Sequence, residues 1–460
     1  MNTVKKTSKQ SKYELVDYAF WFLLILFSNP GGIFQAFGED TSKSGSIDMR
    51  DFILALLFGC FMLISYKSKV QSKTYKKIVK HLIIFLLYYF VVYGYLIPII
   101  NDNPGYVTFS FLKKSRKTVY SILIFIMVYR FYIRSYVIFF KSLIISSIII
   151  LSLFFITFIS GVEILPISTH NRGFVDVDRV FIASEGIMAL LIPMGAAAIV
   201  FKSKTEWKTL TILAFFMMFM NYVLSITRRD IIGTFIFFIL ASILYNYFTN
   251  KPLIPIKKIL SISFYIVLFG FFISLSFPKY LDAGYKGLEE SISIVKEGET
   301  SSGKEDVRLG LGKEFMQNLI INNIWFGTGF DNRWRGTGDR EGFEPSDYPF
   351  LSAIAMMGVF GILVFLPIYV IIFKAIVFDV KFLKKYKVDY QSFEFFFFIL
   401  FILYIIYDLM QYMNWFKPVS LSRSFKWYAY LAWYIASREI FYHHYLEKSE
   451  RRKINSIKTV

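Results

Sequence analysis

Runs of about 20 apolar residues recur along this chain, each long enough to cross the roughly 30 Å hydrocarbon core of a bilayer. Short stretches in which lysine dominates separate them. This alternation constrains the fold more than any other feature. A soluble chain of 460 residues would split into two or more domains, whereas one bundle of membrane helices can use the whole length. Hydrophobic residues make up 55% of the chain and charged residues 18%, which fits the second case. The expected fold is therefore an all-α polytopic membrane protein forming one integral membrane domain, 1–460.

Reading the apolar runs in order predicts about twelve spans. They lie near 17–37, 51–66, 81–100, 117–130, a fifth ending at Gly161, 180–201, a seventh ending at Thr227, an eighth to Tyr247, a ninth to Phe277, 348–373, 393–412 and 425–442. Asn29-Pro30-Gly31-Gly32 breaks or bends the first, and Asn101-Asp102-Asn103-Pro104-Gly105 closes the third with a turn signature. Lys and Arg collect in cytoplasmic loops. On that rule Lys67 to Lys80, Lys202 to Lys208, Lys251 to Lys258 and Lys374 to Lys387 face the cytoplasm, as do both termini. The basic start leads into a long first span without a small-residue cleavage pattern, so no cleavable signal peptide is expected. One cluster breaks the rule: Lys113, Lys114, Arg116 and Lys117 fall on the external side.

The 279–347 stretch is the only long polar segment. It holds nine basic and thirteen acidic residues, a net charge of −4, while the assigned inside loops are almost purely basic. It is therefore expected outside, and a segment of this length between spans carries function more often than it merely connects. The whole chain has a formal net charge of +19, but no nucleic-acid-binding pattern accompanies it, and in a membrane protein such charge sets orientation. A single cysteine, Cys60, excludes an internal disulfide framework and a cysteine-based metal site. Lys304 to Gly312 lacks the Walker spacing needed for a nucleotide phosphate loop.

External arginines need explaining on the positive-inside rule. Arg172 lies between spans five and six, Arg228 and Arg229 at the turn between spans seven and eight, and Arg308, Arg333, Arg335 and Arg340 in the long segment. Guanidinium groups stay charged and grip phosphate oxygens through forked hydrogen bonds, so they suit a pyrophosphate at a membrane surface. Each could equally pair with a nearby carboxylate or reach lipid headgroups. Glu185 and Asp408, in or near apolar spans, are weaker candidates of the same kind. Trp325, Trp334 and Tyr348 are aromatic groups of a kind that stacks on sugars.

Leu224 to Gly233, with Thr227-Arg228-Arg229-Asp230 at its centre, resembles the arginine turn of the O-antigen polymerase and O-antigen ligase superfamily. Arg308 followed by Asn322-Asn323-Ile324-Trp325-Phe326-Gly327-Thr328-Gly329 is similar to that superfamily's arginine-helix-glycine block. Asp347-Tyr348-Pro349-Phe350-Leu351 with Gly358 and Gly361 resembles its histidine-containing block, and Arg172-Gly173 resembles its arginine loop. The resemblance implies a GT-C-like bundle in the bacterial cytoplasmic membrane. It also implies a glycosyltransferase that uses an undecaprenyl-pyrophosphate-linked glycan, without cofactor or metal. Arg228, Arg308 and Arg172 then match pyrophosphate-binding positions, and membrane lipids, a chain-length regulator and a flippase of the same pathway are the expected partners. Ligases carry a histidine where this chain has Asp347. Asp347 is thus a candidate general base, or a cap for the helix that follows. The missing histidine favours polymerisation over ligation to a lipid or protein acceptor. A polysaccharide-lipid flippase is one alternative, against which the absence of two similar halves and the asymmetric long segment argue, and a non-catalytic assembly or scaffold protein is another.

Overall fold

The computed structural model describes residues 14–28, 49–64, 72–100, 109–162, 164–165, 167–170, 179–182, 185–204, 207–225, 228–251, 279, 324–327, 329, 349–386, 388–410 and 421–458. These form α1 (Glu14–Phe27), α2 (Met49–Leu63), and α3 (Lys73–Leu87), which runs through a π-helical stretch (Tyr88–Leu96) into the short α4 (Ile97–Ile100). Next come α5 (Phe109–Ser160), a two-stranded antiparallel ribbon of β1 (Ile167–His170) and β2 (Arg179–Ile182), and a 3-10 turn (Gly186–Leu190). α6 (Leu191–Val200), α7 (Lys208–Leu224), α8 (Arg228–Phe248), α9 (Pro349–Lys385), α10 (Phe393–Met410) and α11 (Leu421–Lys458) are the remaining described elements.

Among the described residues, four helical stretches are long and apolar enough to cross a membrane: Lys73–Ile100, Thr118–Ser160, Asp230–Phe248 and Met357–Lys385. Gly186–Val200, Lys208–Leu224 and Phe393–Ile406 are shorter apolar helices. The surfaces agree with burial in lipid. On α9, Leu363, Leu366, Val370 and Phe373 form an exposed apolar stripe at helical spacing, and Ile83 and Leu87 of α3 with Val91 of the π-helical stretch do the same. Contiguous apolar surface of this extent marks a membrane-facing or interaction surface. The chain is a helical, membrane-embedded protein.

Helices buried on every side occupy the middle of the bundle. Phe395 to Leu403 of α10 and Trp427 to Ser437 of α11 are unbroken buried runs. Their aromatic rings interlock: Phe398 stacks on Phe441 at 4.9 Å and Trp433 on Phe401 at 5.8 Å, with Phe139 of α5 4.6 Å from Trp433. Each such pair contributes about 0.5–1.5 kcal/mol beyond its buried area. The ten residues of α6 are also almost wholly enclosed. Its Gly195 lies against the Phe215 ring, where any Cβ would overlap it. Small residues permit this close approach, which matters in lipid because tight packing, not water exclusion, holds helices together.

α5 spans 52 residues, about 78 Å at 1.5 Å per residue, far more than one crossing needs. It leaves helical geometry at Ser135 (φ −138°, ψ 35°). Trp21 of α1 sits in the bend: its indole nitrogen donates to the Ser135 hydroxyl at 2.8 Å, and its ring contacts Phe131 on one arm and Phe139 on the other. Arg134 at the bend pairs with Asp17 at 3.1 Å. Spans four and five of the sequence reading are therefore the two arms of one bent helix.

Other boundaries differ from the sequence expectation. α3 begins at Lys73, well before His81, because the Ser72 hydroxyl accepts from the Tyr75 backbone N–H and caps a first turn that the lysines obscured. α5 begins at Phe109 and not near Lys117, and α11 continues past Tyr442 to Lys458. The expected span 180–201 is not one helix but a strand, a 3-10 turn and the short α6. Within the basic cluster Lys113 to Lys117, Arg116 bonds Asp51 of α2 at 2.9 Å, and Tyr120 donates to the same carboxylate at 2.7 Å. That charge fastens two helices together.

The lysine-rich connections meet at one end of the bundle. The Lys204 backbone N–H donates to Gln391 O at 3.1 Å and the Tyr390 hydroxyl to Phe248 O at 3.2 Å. Burial raises the pKa of the Tyr390 phenol above its ordinary value, which keeps it a donor. Lys384 lies 3.8 Å over the Tyr247 ring, Lys141 5.6 Å over Trp207 and Lys251 5.4 Å over Tyr245. Lysines resting on aromatic rings at one level suit a membrane–water boundary.

Candidate functional site

α8 and α9 both run toward the lysine-rich end, where Tyr390, just past α9, bonds the last residue of α8. Arg228 of α8 and Val359, where the continuous part of α9 begins, lie toward the opposite end, and there the described backbone becomes irregular in two places. Irregular backbone at membrane depth persists only where protein encloses it or a polar cavity meets it.

The first place is the chain from β2 to α6. Gly186 holds φ +53°, and any side chain there would overlap the Ser28 hydroxyl. The donors freed by the missing helix are met by side chains from two other elements. The Ser28 hydroxyl, at the end of α1, accepts from Ile187 N–H at 3.2 Å and donates to Ile25 O at 2.6 Å. Asn221 Oδ1, in the last turn of α7, accepts from Ile182 N–H at 3.2 Å. One residue on, the Tyr222 hydroxyl donates to Glu185 Oε2 at 3.3 Å. The Ser225 hydroxyl donates to Tyr222 O at 2.8 Å, and α8 opens three residues later at Arg228. A half-buried carboxylate, a phenol and the start of a helix are thus assembled from α1, β2, the 3-10 turn and α7.

The second place is Gly358, which interrupts α9 at φ 68°, ψ 178°. The break exposes backbone groups that a continuous helix would pair, and residues from the 279–347 stretch meet them. Val359 N–H donates to Ile324 O at 2.9 Å and Phe360 N–H to Trp325 O at 3.1 Å. The Tyr88 hydroxyl, at the start of the π-helical stretch, donates to Met357 O at 2.7 Å. A Cβ at Gly358 would overlap the Trp325 carbonyl, and Gly329 (φ +70°) lies against Ile97 and Pro98. π-helical turns are rare and recur at functional sites. Two glycine-containing blocks far apart in sequence are here joined backbone to backbone.

Of the residues expected to carry chemistry, Arg228 and Arg229 form the first two positions of α8, and their side chains lie outside the described residues. Arg172 falls in the 171–178 connection between β1 and β2, outside the described residues, as do Arg308, Arg333, Arg335, Arg340 and Asp347. α9 opens at Pro349, two residues after Asp347. The ribbon flanking Arg172 is joined to the last turn before Arg228 through the Ile182–Asn221 bond. The carboxylate of Asp408 lies outside the described residues as well. Among the described residues no group of His, Cys, Asp and Glu side chains is arranged to hold a metal ion.

Sequence reasoning gave Glu185 a minor place and overlooked Ser28, Asn221, Tyr222 and Tyr88. Gly186 next to Glu185 was the available sign that the predicted span is interrupted. A fully buried carboxylate elsewhere was also missed. Asp379 of α9 is held by Arg438 at 2.8 Å, Tyr434 at 2.7 Å and Tyr442 at 2.7 Å. With every charge matched and lying toward the lysine-rich end, this cluster acts as a fastener between α9 and α11.

The architecture defines a helical membrane protein with an irregular, polar end. No protein-family model, curated protein or solved structure matches the chain.

Proposed function

We propose that this protein is a membrane glycosyltransferase that polymerises undecaprenyl-pyrophosphate-linked oligosaccharide repeat units into a surface polysaccharide. It works in the bacterial cytoplasmic membrane with the 279–347 segment and the irregular end outside. The observation that carries the reading is the joining of Ile324 and Trp325 to the Gly358 break. Two separate blocks that resemble the O-antigen polymerase and ligase superfamily meet in one junction, at the end where α8 begins with Arg228. The gathering of lysines at the other end supports the sidedness.

In this mechanism Arg228 and Arg308, with Arg172, grip the donor pyrophosphate, and Arg229, Arg333 and Arg335 line its approach. Fixed cations in a water-poor site are worth most as the pyrophosphate leaves and negative charge develops. An acceptor sugar hydroxyl attacks the anomeric carbon, the carbon–oxygen bond to the pyrophosphate breaks, and a base takes the hydroxyl proton. Asp347 is the base the resemblance favours.

Purified protein in nanodiscs, given a lipid-linked oligosaccharide, is expected to yield products longer by whole repeat units. Transfer to a different acceptor would establish ligation, and no covalent change would overturn the enzyme reading. In cells, surface polysaccharide of normal length and amount from well-expressed Arg228→Ala and Arg308→Ala variants would exclude the assigned roles of both arginines.

A further inference from the structure

We infer that the Ile324–Phe326 turn is a membrane wedge, seating the middle of the 279–347 segment among lipid acyl chains at the bilayer boundary. Trp325 is 60% exposed and Phe326 52%, and both rings pack on Phe360, itself 42% exposed, at 5.9 Å and 5.0 Å. A turn in a polar segment would ordinarily turn such groups inward or replace them. Here the backbone holds them outward: Ile324 O and Trp325 O are committed to Val359 and Phe360 N–H, which fixes how the turn presents its side chains.

What covers these rings follows from where they sit. Phe360 is the first member of the exposed stripe that continues through Leu363, Leu366, Val370 and Phe373 along α9. That stripe belongs to a helix long and apolar enough to cross a membrane, so it faces lipid. Trp325 and Phe326 extend this lipid-facing surface by one patch at the end of the helix, where tryptophan is most favoured in a bilayer. Apolar groups at such a position enter about 5–10 Å into the headgroup and acyl boundary. The occupant is a lipid chain, not water, a sugar or another protein. This inference does not depend on the proposed enzymatic activity.

Cys60 is the sole cysteine, so a Cys60→Ala background allows single-site labelling. Trp325→Cys, Phe326→Cys and Phe360→Cys are each labelled with an environment-sensitive fluorophore in nanodiscs, with Val370→Cys as the lipid-facing reference and Val162→Cys as an exposed non-helical reference. Quenching is compared between iodide in the water and nitroxide carried near the top of the lipid chain. The expected result at 325, 326 and 360 is blue-shifted emission with several-fold stronger quenching by the lipid nitroxide than by iodide. Preferential quenching by iodide at these sites would overturn the inference. Protection from both quenchers would overturn it too, by showing a protein cover. Three independent sites keep the test decisive if one variant fails to fold.

Discussion

The Tyr88 hydroxyl bonds the carbonyl of Met357, the residue immediately before the Gly358 break, at 2.7 Å. One side chain from the start of a π-helical stretch therefore supports the edge of an interruption in another helix. The Trp325 carbonyl fills the other side of that interruption.

Gly358→Ala is expected to be among the most damaging single-methyl changes in the chain. Its backbone occupies a region open essentially only to glycine, which costs about 1–3 kcal/mol for any other residue, and the new Cβ would meet the Trp325 carbonyl. Tyr88→Phe removes one hydrogen bond and should cost about 1 kcal/mol. Gly59→Ala, with open space around it, should leave stability nearly unchanged. Thermal unfolding in detergent ranks the three, and a Gly358→Ala protein as stable as Gly59→Ala would refute the account of the break.

Gly186→Ala should destabilise for a related reason, since the added methyl overlaps the Ser28 hydroxyl at a positive φ. Ser28→Ala removes the overlapping oxygen and also the acceptor for Ile187 N–H. The double variant is therefore expected to be more stable than the sum of the two single losses predicts. A coupling of about 0.5–3 kcal/mol is typical of residues in contact. Strict additivity in a double-mutant cycle would show that the two positions do not meet.

The Asp379 cluster gives a different signature. Asp379→Ala leaves Arg438 without its buried partner, and breaking a buried pair in this way costs about 3–5 kcal/mol. Replacing both residues with apolar ones of similar volume should cost much less, because no charge is then stranded. Melting temperatures of Asp379→Leu/Arg438→Met and of Asp379→Ala test this, and a double variant less stable than the single one would contradict it.

On the proposed reading, Arg228→Ala should lower polymerisation by about 10²–10³-fold, the usual effect of removing one group that stabilises a developing anion. Arg228→Lys keeps the charge but loses the forked geometry, so it should recover only part of the rate. The readout is repeat units added per minute at saturating lipid-linked donor. Full activity in Arg228→Lys would mean that charge alone suffices there.

The membrane class was legible from the apolar runs, and the boundary expected after residue 130 lies close to the bend at Ser135. Helix starts were harder to find, since at Lys73 a cap supplied by Ser72 outweighed the polar character of the turn. Interruptions at Gly186, Ser135 and Gly358 depend on tertiary partners: Ser28, Trp21 and Trp325 are each distant in sequence from the break they support. An apolar run does not reveal such partners. The start of α8 at Arg228 was visible because arginine between two apolar runs is conspicuous, whereas Glu185 was not distinguished from an ordinary buried acid. Its significance comes from Tyr222, brought beside it by the fold.

Two of the helices with the longest buried runs, α10 and α11, come last among the described elements. During synthesis the peripheral helices enter the bilayer first and surround a place that its occupants have not yet reached. Until the ribosome delivers Phe393 onward, surfaces such as Phe139 face lipid or solvent instead of Trp433, and Asp379 has no Arg438. A chain arrested after α9 would be inserted yet lack its α10–α11 centre, which only about the last sixth of translation supplies.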